Sequence, residues 1–296
     1  MLEKARSFFK ERGVLEVDCC ALVSRPPIDA NIDVISAAVT GRDTGYLHTS
    51  PEYAMKRLLS LGSGDIYYLG HVFRKGDIGR IHNPEFAMVE WYRVAISFDQ
   101  MIQETAEFLF LFIGEKPIRK IGYRAAFKQY AGIDYTAISL SELRKMIPHA
   151  EGWSRDTCIH YLLTHLVEPK LGRGELTALI DFPTHEAALA CVAEKDGERV
   201  AERFEIYFEG IELTNGYHEL RDSTELKRRF DEENRERMSK GKEPYLLDEE
   251  FIACLDNGFP DCCGVSVGFD RVLMLRNNAQ SIKDVLPFAW ETAPAI

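Results

Sequence analysis

The sequence predicts an α+β domain: an antiparallel sheet with helices packed against it. Strand-like runs are joined mainly as hairpins, long helical stretches are mixed among them, and no internal repeat or low-complexity run is present. The 296 residues, 46% hydrophobic and 28% charged, have the balance of a globular chain with a real core.

Leu2 to Arg12 reads as a helix with Leu2, Ala5, Phe8 and Phe9 on one face and Gly13 as its stop. Val14 to Val17 follows as a strand, and Tyr53 to Leu61 as a helix broken at Gly62-Ser63-Gly64. Ile66 to Arg74 and Glu85 to Arg93 form a hairpin around a charged, glycine-containing loop, and Ser97 to Phe112 is helical by period. Lys116 to Thr177 reads as helix-rich. Strand character returns at Thr177 to Phe182 and Ala187 to Val192, then in a hairpin from Ala201 to Glu219 turning at Glu209-Gly210. Ser223 to Gly241 is a charged helix, and Gly264 to Arg271 is a strand running into a last apolar helix.

Composition narrows the function. The longest apolar run, Phe108 to Ile113, is far short of the roughly 20 residues that cross a bilayer. The first residues, Met1 to Arg6, lack the apolar core of a signal peptide, so a cytoplasmic location is expected. Seven cysteines, with no C-x-x-C spacing, read as reduced thiols and not as a zinc or redox site. A net charge of −11 lowers the expectation of nucleic-acid binding, which draws most of its affinity from phosphate contacts. Lys227-Arg228-Arg229 is flanked by Glu225, Asp231, Glu232, Glu233 and Glu236, as on a solvated helix face.

Three clusters carry chemistry. Alternation along the strand puts Phe86, Met88, Glu90 and Tyr92 on one face, and a buried Glu90 there calls for a cationic partner such as a bound ammonium. The preceding loop holds Arg74, Lys75, Arg80 and His82, donors suited to a polyphosphate. In the second hairpin the two-residue turn pairs Phe208 with Ile211 and Tyr207 with Glu212, placing Glu205, Tyr207, Glu212 and Thr214 on one face. Beside a phosphate site, such paired acids read as magnesium ligands; two solvent-facing glutamates are the competing reading. A bulge at Asn215-Gly216 is expected to turn Glu219 inward as a third acid, suited to a cationic substrate.

These residues resemble the class II aminoacyl-tRNA synthetase family. Gly13 to Val17 is similar to its motif 1, Phe73-Arg74 through His82-Asn83-Pro84-Glu85-Phe86 to motif 2, and Gly264 to Arg271 to motif 3. Arg203-Phe204-Glu205 and Glu212-x-x-Asn215-Gly216-x-x-Glu219 resemble lysyl-tRNA synthetases. Ser50-Pro51-Glu52-Tyr53-x-Met55-Lys56-Arg57-Leu58-Leu59, Gly79-Arg80-x-His82-Asn83-Pro84-Glu85-Phe86, Glu90-Trp91-Tyr92-Arg93 and Pro260-Asp261-Cys262 resemble the free-standing paralogues that attach (R)-β-lysine to elongation factor P.

The resemblance implies a class II catalytic core, residues 1–296 as a single catalytic domain, no anticodon-binding domain, and a homodimer. It implies ATP as substrate with Mg2+, held by Glu205 and Glu212. Arg74 and Arg271 are the implied catalytic residues. Lys75, Gly76, His82, Asn83, Phe86, Glu212, Leu213 and Gly268 join them around ATP, with Phe86 and Arg271 on either side of the adenine. Ser50, Pro51 and Glu52 would face the amino group near the α-carbon, and Glu90, Tyr92 and Glu219 the distal ammonium. The implied reaction is adenylation of lysine or (R)-β-lysine and transfer to a lysine of elongation factor P. Charging of tRNA and a non-catalytic amino-acid sensor are the alternatives.

Three departures stand out. Arg74-Lys75-Gly76 replaces the family's Arg-Asn-Glu, so either Asp77 takes the missing glutamate's place or nucleotide affinity is lower. Cys19-Cys20 stands where motif 1 has Thr-Pro. Ser266 matches neither the alanine of the ligases nor the glycine of the tRNA enzymes, leaving both lysine isomers open.

Overall fold

The computed structural model describes residues 1–290. Its strands are β1 (Leu15–Glu16), β2 (Leu22–Val23), β3 (Ile35–Ala38), β4 (Thr44–Leu47), β5 (Ile66–Phe73), β6 (Glu85–Val94), β7 (Ile118–Gly122), β8 (Leu176–Pro183), β9 (Val192–Lys195), β10 (Glu198–Phe208), β11 (Ile211–His218) and β12 (Cys262–Gly268). Its α-helices are α1 (Leu2–Glu11), α2 (Glu52–Ser60), α3 (Phe98–Ile113), α4 (Tyr123–Ala126), α5 (Leu140–Lys145), α6 (Arg155–Leu162), α7 (Ser223–Ser239), α8 (Glu249–Asp256) and α9 (Phe269–Arg276).

Local sequence explains the main boundaries. A capping box between Ser97 and Gln100 starts α3, and Gly114, with φ 78°, ends it. Gly13, with φ 68°, turns the chain from α1 into β1. Among the described residues the main sheet runs β1-β5-β6-β12-β11-β10-β8-β7, with β9 beside β10, and a small second sheet runs β2-β4-β3.

The expected antiparallel sheet forms its centre, from β5 to β8. Its two outer pairs, β1 with β5 and β7 with β8, are parallel instead. Parallel neighbours need a crossover of a dozen residues or more, and the helical stretch between β7 and β8 supplies one. The second correction concerns Ala187 to Val192, expected as a strand. It is mostly a turn, with Ala188 at φ 46° and a single bridge from Ala190 to Glu219. Ala187, Leu189 and Ala190 are buried by packing against the domain rather than in a strand, and only Val192 at its end enters the sheet, as the first residue of β9.

Each sheet face does different work. Tyr67, Val89, Trp91, Phe204, Ile206, Val265 and Val267 pack against α1, α3 and α9. On the other face, Ile66, Tyr68, Met88 and Tyr92 meet α2, α7 and α8 at one end. Toward β8 a third cluster, including Tyr123, Phe127, Ile159, Phe182 and Tyr207, closes the opposite side. Between these two walls the sheet floor is open as a cleft of about 1280 Å³.

The hairpin between β10 and β11 controls which acids reach that cleft. Tyr207 pairs Glu212 and Phe208 pairs Ile211, as the turn predicts, but Ile206 then pairs Thr214 and Glu205 pairs Asn215. Leu213 is therefore the extra residue of a bulge. The expected parity flip occurs, but at Leu213 and not at Asn215-Gly216. Thr214 consequently shares register with Ile206, not with Glu205, and its hydroxyl accepts the Ile206 N–H at 3.1 Å. Asn215, Tyr217 and Glu219 follow on the parity of Glu205.

Candidate active site

The acidic end of the cleft is assembled from β6, β11 and the start of α2. Glu90 is 3% exposed, and Tyr92 donates to its Oε1 at 2.8 Å while Ser50 donates to its Oε2 at 2.7 Å. Ser50 Oγ also accepts the Glu52 N–H at 3.0 Å, which ties the first turn of α2 to the β6 wall. Burial, reinforced by the neighbouring Glu52 charge, pushes the Glu90 carboxyl up to about 8. Glu219, 1% exposed, is pushed up to about 7 by burial, against the pull of Lys56. Gly264, paired with Tyr92 across β12 and β6, is required here: a β-carbon would strike both the Glu219 carboxylate and the Tyr92 ring.

These shifts fix the sign of a pH effect. A carboxyl whose folded value lies above its ordinary 4.5 holds its proton more tightly in the folded state. The stability it contributes is complete below about pH 4.5 and is lost as pH rises through 7 to 8. His218, raised to about 9 by Glu202 and Asp261, acts in the same direction, whereas His48 and His82, lowered by burial, oppose it. The melting temperature of the free protein is therefore expected to fall between pH 5.5 and 8.5, less steeply in Glu90→Gln. Equal slopes in the two proteins would remove Glu90 as a source of the effect.

The basic end lies between the β5–β6 loop and α9. The Arg74 backbone N–H is anchored on Pro84 O at 2.8 Å, and its guanidinium carbon sits 5.1 Å from the Phe86 ring centroid. Among the described residues its buried Nε has no protein acceptor. Arg271 donates to the Ile81 and Glu212 carbonyls at 3.3 and 2.9 Å, to Glu212 Oε2 at 3.3 Å and to His82 Nε2 at 2.8 Å. That last contact requires an unprotonated His82 nitrogen, in keeping with the downward shift that burial and the Arg271 charge impose on it.

Between the two ends stand Glu205 and Glu212. Glu205 accepts from Arg203, and the Tyr207 hydroxyl lies 2.6 Å from its Oε2 and 3.2 Å from Glu168 Oε1. Burial lifts Glu205 to about 7, with Arg203 opposing and Glu212 adding to the rise. Burial and the charges of Glu205 and Glu212 take Glu168 to the same range.

Most residues singled out in the sequence meet here. Ser50, Glu52, Arg74, His82, Asn83, Phe86, Glu90, Tyr92, Glu205, Glu212, Leu213, Glu219, Gly268 and Arg271 all line the one cleft. Pro51, Lys75 and Gly76 do not. Pro51 caps α2, Lys75 turns its backbone N–H to Asp33 O, and Gly76 makes the left-handed turn of the loop at φ 82°. Asp77 does line the cleft, whereas Arg80, expected among the converging cations, donates to Gln280 O outside it. The sequence reading missed Lys56, Glu168, Asn215 and Tyr217 as parts of the site. Lys56 had a local signal in its i,i+4 spacing from Glu52, and Asn215 stood in the motif shared with lysyl-tRNA synthetases without a role assigned to it.

The tRNA synthetases class II (D, K and N) family model matches residues 1–292. The elongation factor P–(R)-β-lysine ligase of Haemophilus ducreyi is 40% identical over 99% of this chain and 92% of its own length. That of Haemophilus influenzae strain Rd is also 40% identical, over 99% of this chain and 94% of its own length. The chain belongs to the class II tRNA synthetase family, with the elongation factor P–(R)-β-lysine ligases as its relatives. The same-named protein of Hamiltonella defensa is 38% identical over 99% of this chain. A class II catalytic core, read from the three motifs, is thus the fold of this protein.

Proposed function

We propose that this protein is an ATP-dependent ligase that activates lysine or (R)-β-lysine as its adenylate and transfers it to a lysine side chain of elongation factor P. One observation carries the reading: a single cleft has the Ser50–Glu90–Tyr92 and Glu219 acids at one end and the Arg74–Phe86 and Arg271–His82 groups at the other.

Glu52 and Ser50 would receive the amino group nearer the carboxylate, and Glu90, Tyr92 and Glu219 the distal ammonium. An analogue without that ammonium would leave buried acids unpaired, which supplies the specificity. Arg74 would contact the α-phosphate and the substrate carboxylate. Phe86 would stack under the adenine, with Arg271 above it and His82, Asn83, Leu213 and Gly268 around the nucleotide. Asp77 is the acid available where the family's glutamate is replaced by Gly76.

Glu205 and Glu212 would hold a Mg2+ ion: they are carboxylates lining the same cleft, with the Glu212 charge raising Glu205, and this hard cation takes oxygen ligands while keeping water and phosphate in its shell. When bound, it would neutralise phosphate charge as pyrophosphate departs. The substrate carboxylate attacks the α-phosphorus, the bond to the β-phosphate bridge breaks, and Arg74 stabilises the charge that develops. The amine of the acceptor lysine then attacks the adenylate carbonyl. An amide forms, AMP leaves, and the amine's proton passes to solvent. Positioning and charge stabilisation suffice, so no enzyme nucleophile takes part.

The protein is further proposed to act in the cytoplasm, as a homodimer, with residues 1–296 forming one catalytic domain. Among the described residues no helix is long and apolar enough to cross a membrane, and the cysteines are free thiols, which supports a reducing compartment. Leu2 and Leu15, both more than half exposed beside the motif 1 segment, support a paired surface there.

The test is ATP–pyrophosphate exchange driven by lysine or (R)-β-lysine, followed by transfer of label to elongation factor P or tRNA. Exchange and label on the protein are expected. Absence of exchange with both amino acids would sink the enzymatic reading in favour of a sensor, and label on tRNA alone would make it a tRNA-charging enzyme.

A further inference from the structure

Lys56 lies on α2 one turn beyond Glu52 and is 2% exposed, yet it does not line the cleft. Its Nζ is 2.7 Å from Glu52 Oε1 and 2.5 Å from Glu219 Oε2. It therefore stands behind the pocket wall and joins two acids that form part of it, one on a helix and one just past the end of β11.

A buried ammonium is costly, and Met55 and Leu59, buried on the same helix, show that apolar side chains are at home in this layer. Burial alone would lower the Lys56 ammonium, but Glu219 and Glu52 more than reverse this and raise it, so it remains charged. Each carboxylate gives one oxygen to Lys56 and keeps the other for a ligand. Lys56 thus supplies one positive charge to a wall otherwise built of the acids Glu52, Glu90 and Glu219.

We propose that Lys56 is a positioning residue for amino-acid recognition, bridging Glu52 and Glu219 from behind the pocket wall so that the two carboxylates are held at a fixed spacing toward a diamino substrate. This rests on the adenylation reading above and extends it to a residue that does not touch substrate. Without Lys56, Glu52 and Glu219 lose the bridge that fixes their spacing. ATP, bound at the far end, is untouched.

The experiment is exchange kinetics with amino acid and ATP varied separately, in the wild type, Lys56→Met and Lys56→Arg, with thermal melting as the check on folding. In Lys56→Met the amino-acid KM is expected to rise by roughly tenfold to a hundredfold, as when a buried ion pair loses one member, with ATP KM within about twofold and kcat changed less than the amino-acid KM. Lys56→Arg keeps the charge but alters the spacing, and should recover part of the loss. If Lys56→Met does not fold, Lys56→Arg decides: a raised amino-acid KM with ATP KM unchanged supports the role. An amino-acid KM within about twofold of wild type in the folded variant that decides, or both KM values rising together, overturns it. A wild type that shows no exchange at all overturns the adenylation reading and this inference together, whereas a normal wild type with an unaffected variant overturns this inference alone.

Discussion

Arg74→Ala is expected to lower pyrophosphate exchange by about 10²- to 10³-fold, the loss seen when one preorganised donor to a developing charge is removed, without lowering the melting temperature. Arg74 sits at the end of β5, fixed through its backbone to Pro84 and stacked near Phe86. Among the described residues its buried Nε has no protein acceptor, an arrangement that costs about 1–3 kcal/mol in the free protein. Truncation removes that cost, so stability should hold or rise slightly while the reaction loses its donor. Arg74→Lys retains the charge but not the planar fork, and should recover only part of the rate. A melting temperature lowered by several degrees, or exchange within about tenfold of wild type, would reassign Arg74 to a structural role.

The parts of this molecule legible in the sequence are those governed by short-range periodicity. Alternation from Phe86 to Tyr92 placed Glu90 and Tyr92 on one face, and the Glu209-Gly210 turn set the pairing of Tyr207 with Glu212; both appear in the structure. The Glu219 inference had the right outcome from the wrong residue. Asn and Gly are common at irregular positions, but the bulge falls on Leu213, whose side chain gains burial in the core beneath the hairpin. The parallel pairs were invisible because their partners are separated by long crossovers that no local pattern encodes. Lys56 was hidden for a different reason. In sequence it belongs to a charged, amphipathic helix, and only tertiary packing takes it out of water and sets Glu219 against it. Arg80 shows the converse, since a cation in the right loop can still be turned away by one backbone contact.

Glu219→Gln should be the most damaging single change at the acidic end, lowering amino-acid kcat/KM by roughly 10³-fold while ATP KM stays near wild type. Breaking one member of a buried charge pair costs about 3–5 kcal/mol, and here the same carboxylate faces both Lys56 and the proposed distal ammonium. Glutamine preserves the shape beside Gly264 and Tyr92 but presents no charge, so Lys56 is left with Glu52 as its ionic partner. The variant should therefore lose stability as well as activity. The double variant Glu219→Gln/Lys56→Met separates the two effects. Removing the stranded ammonium should restore most of the melting temperature, because the cost lay in the unpaired buried charge, but it cannot restore a carboxylate to the ligand, so exchange should stay low. Recovery of both together would mean that Glu219 serves only to neutralise Lys56. Recovery of stability alone would leave Glu219 with two jobs, one facing the helix and one facing the substrate.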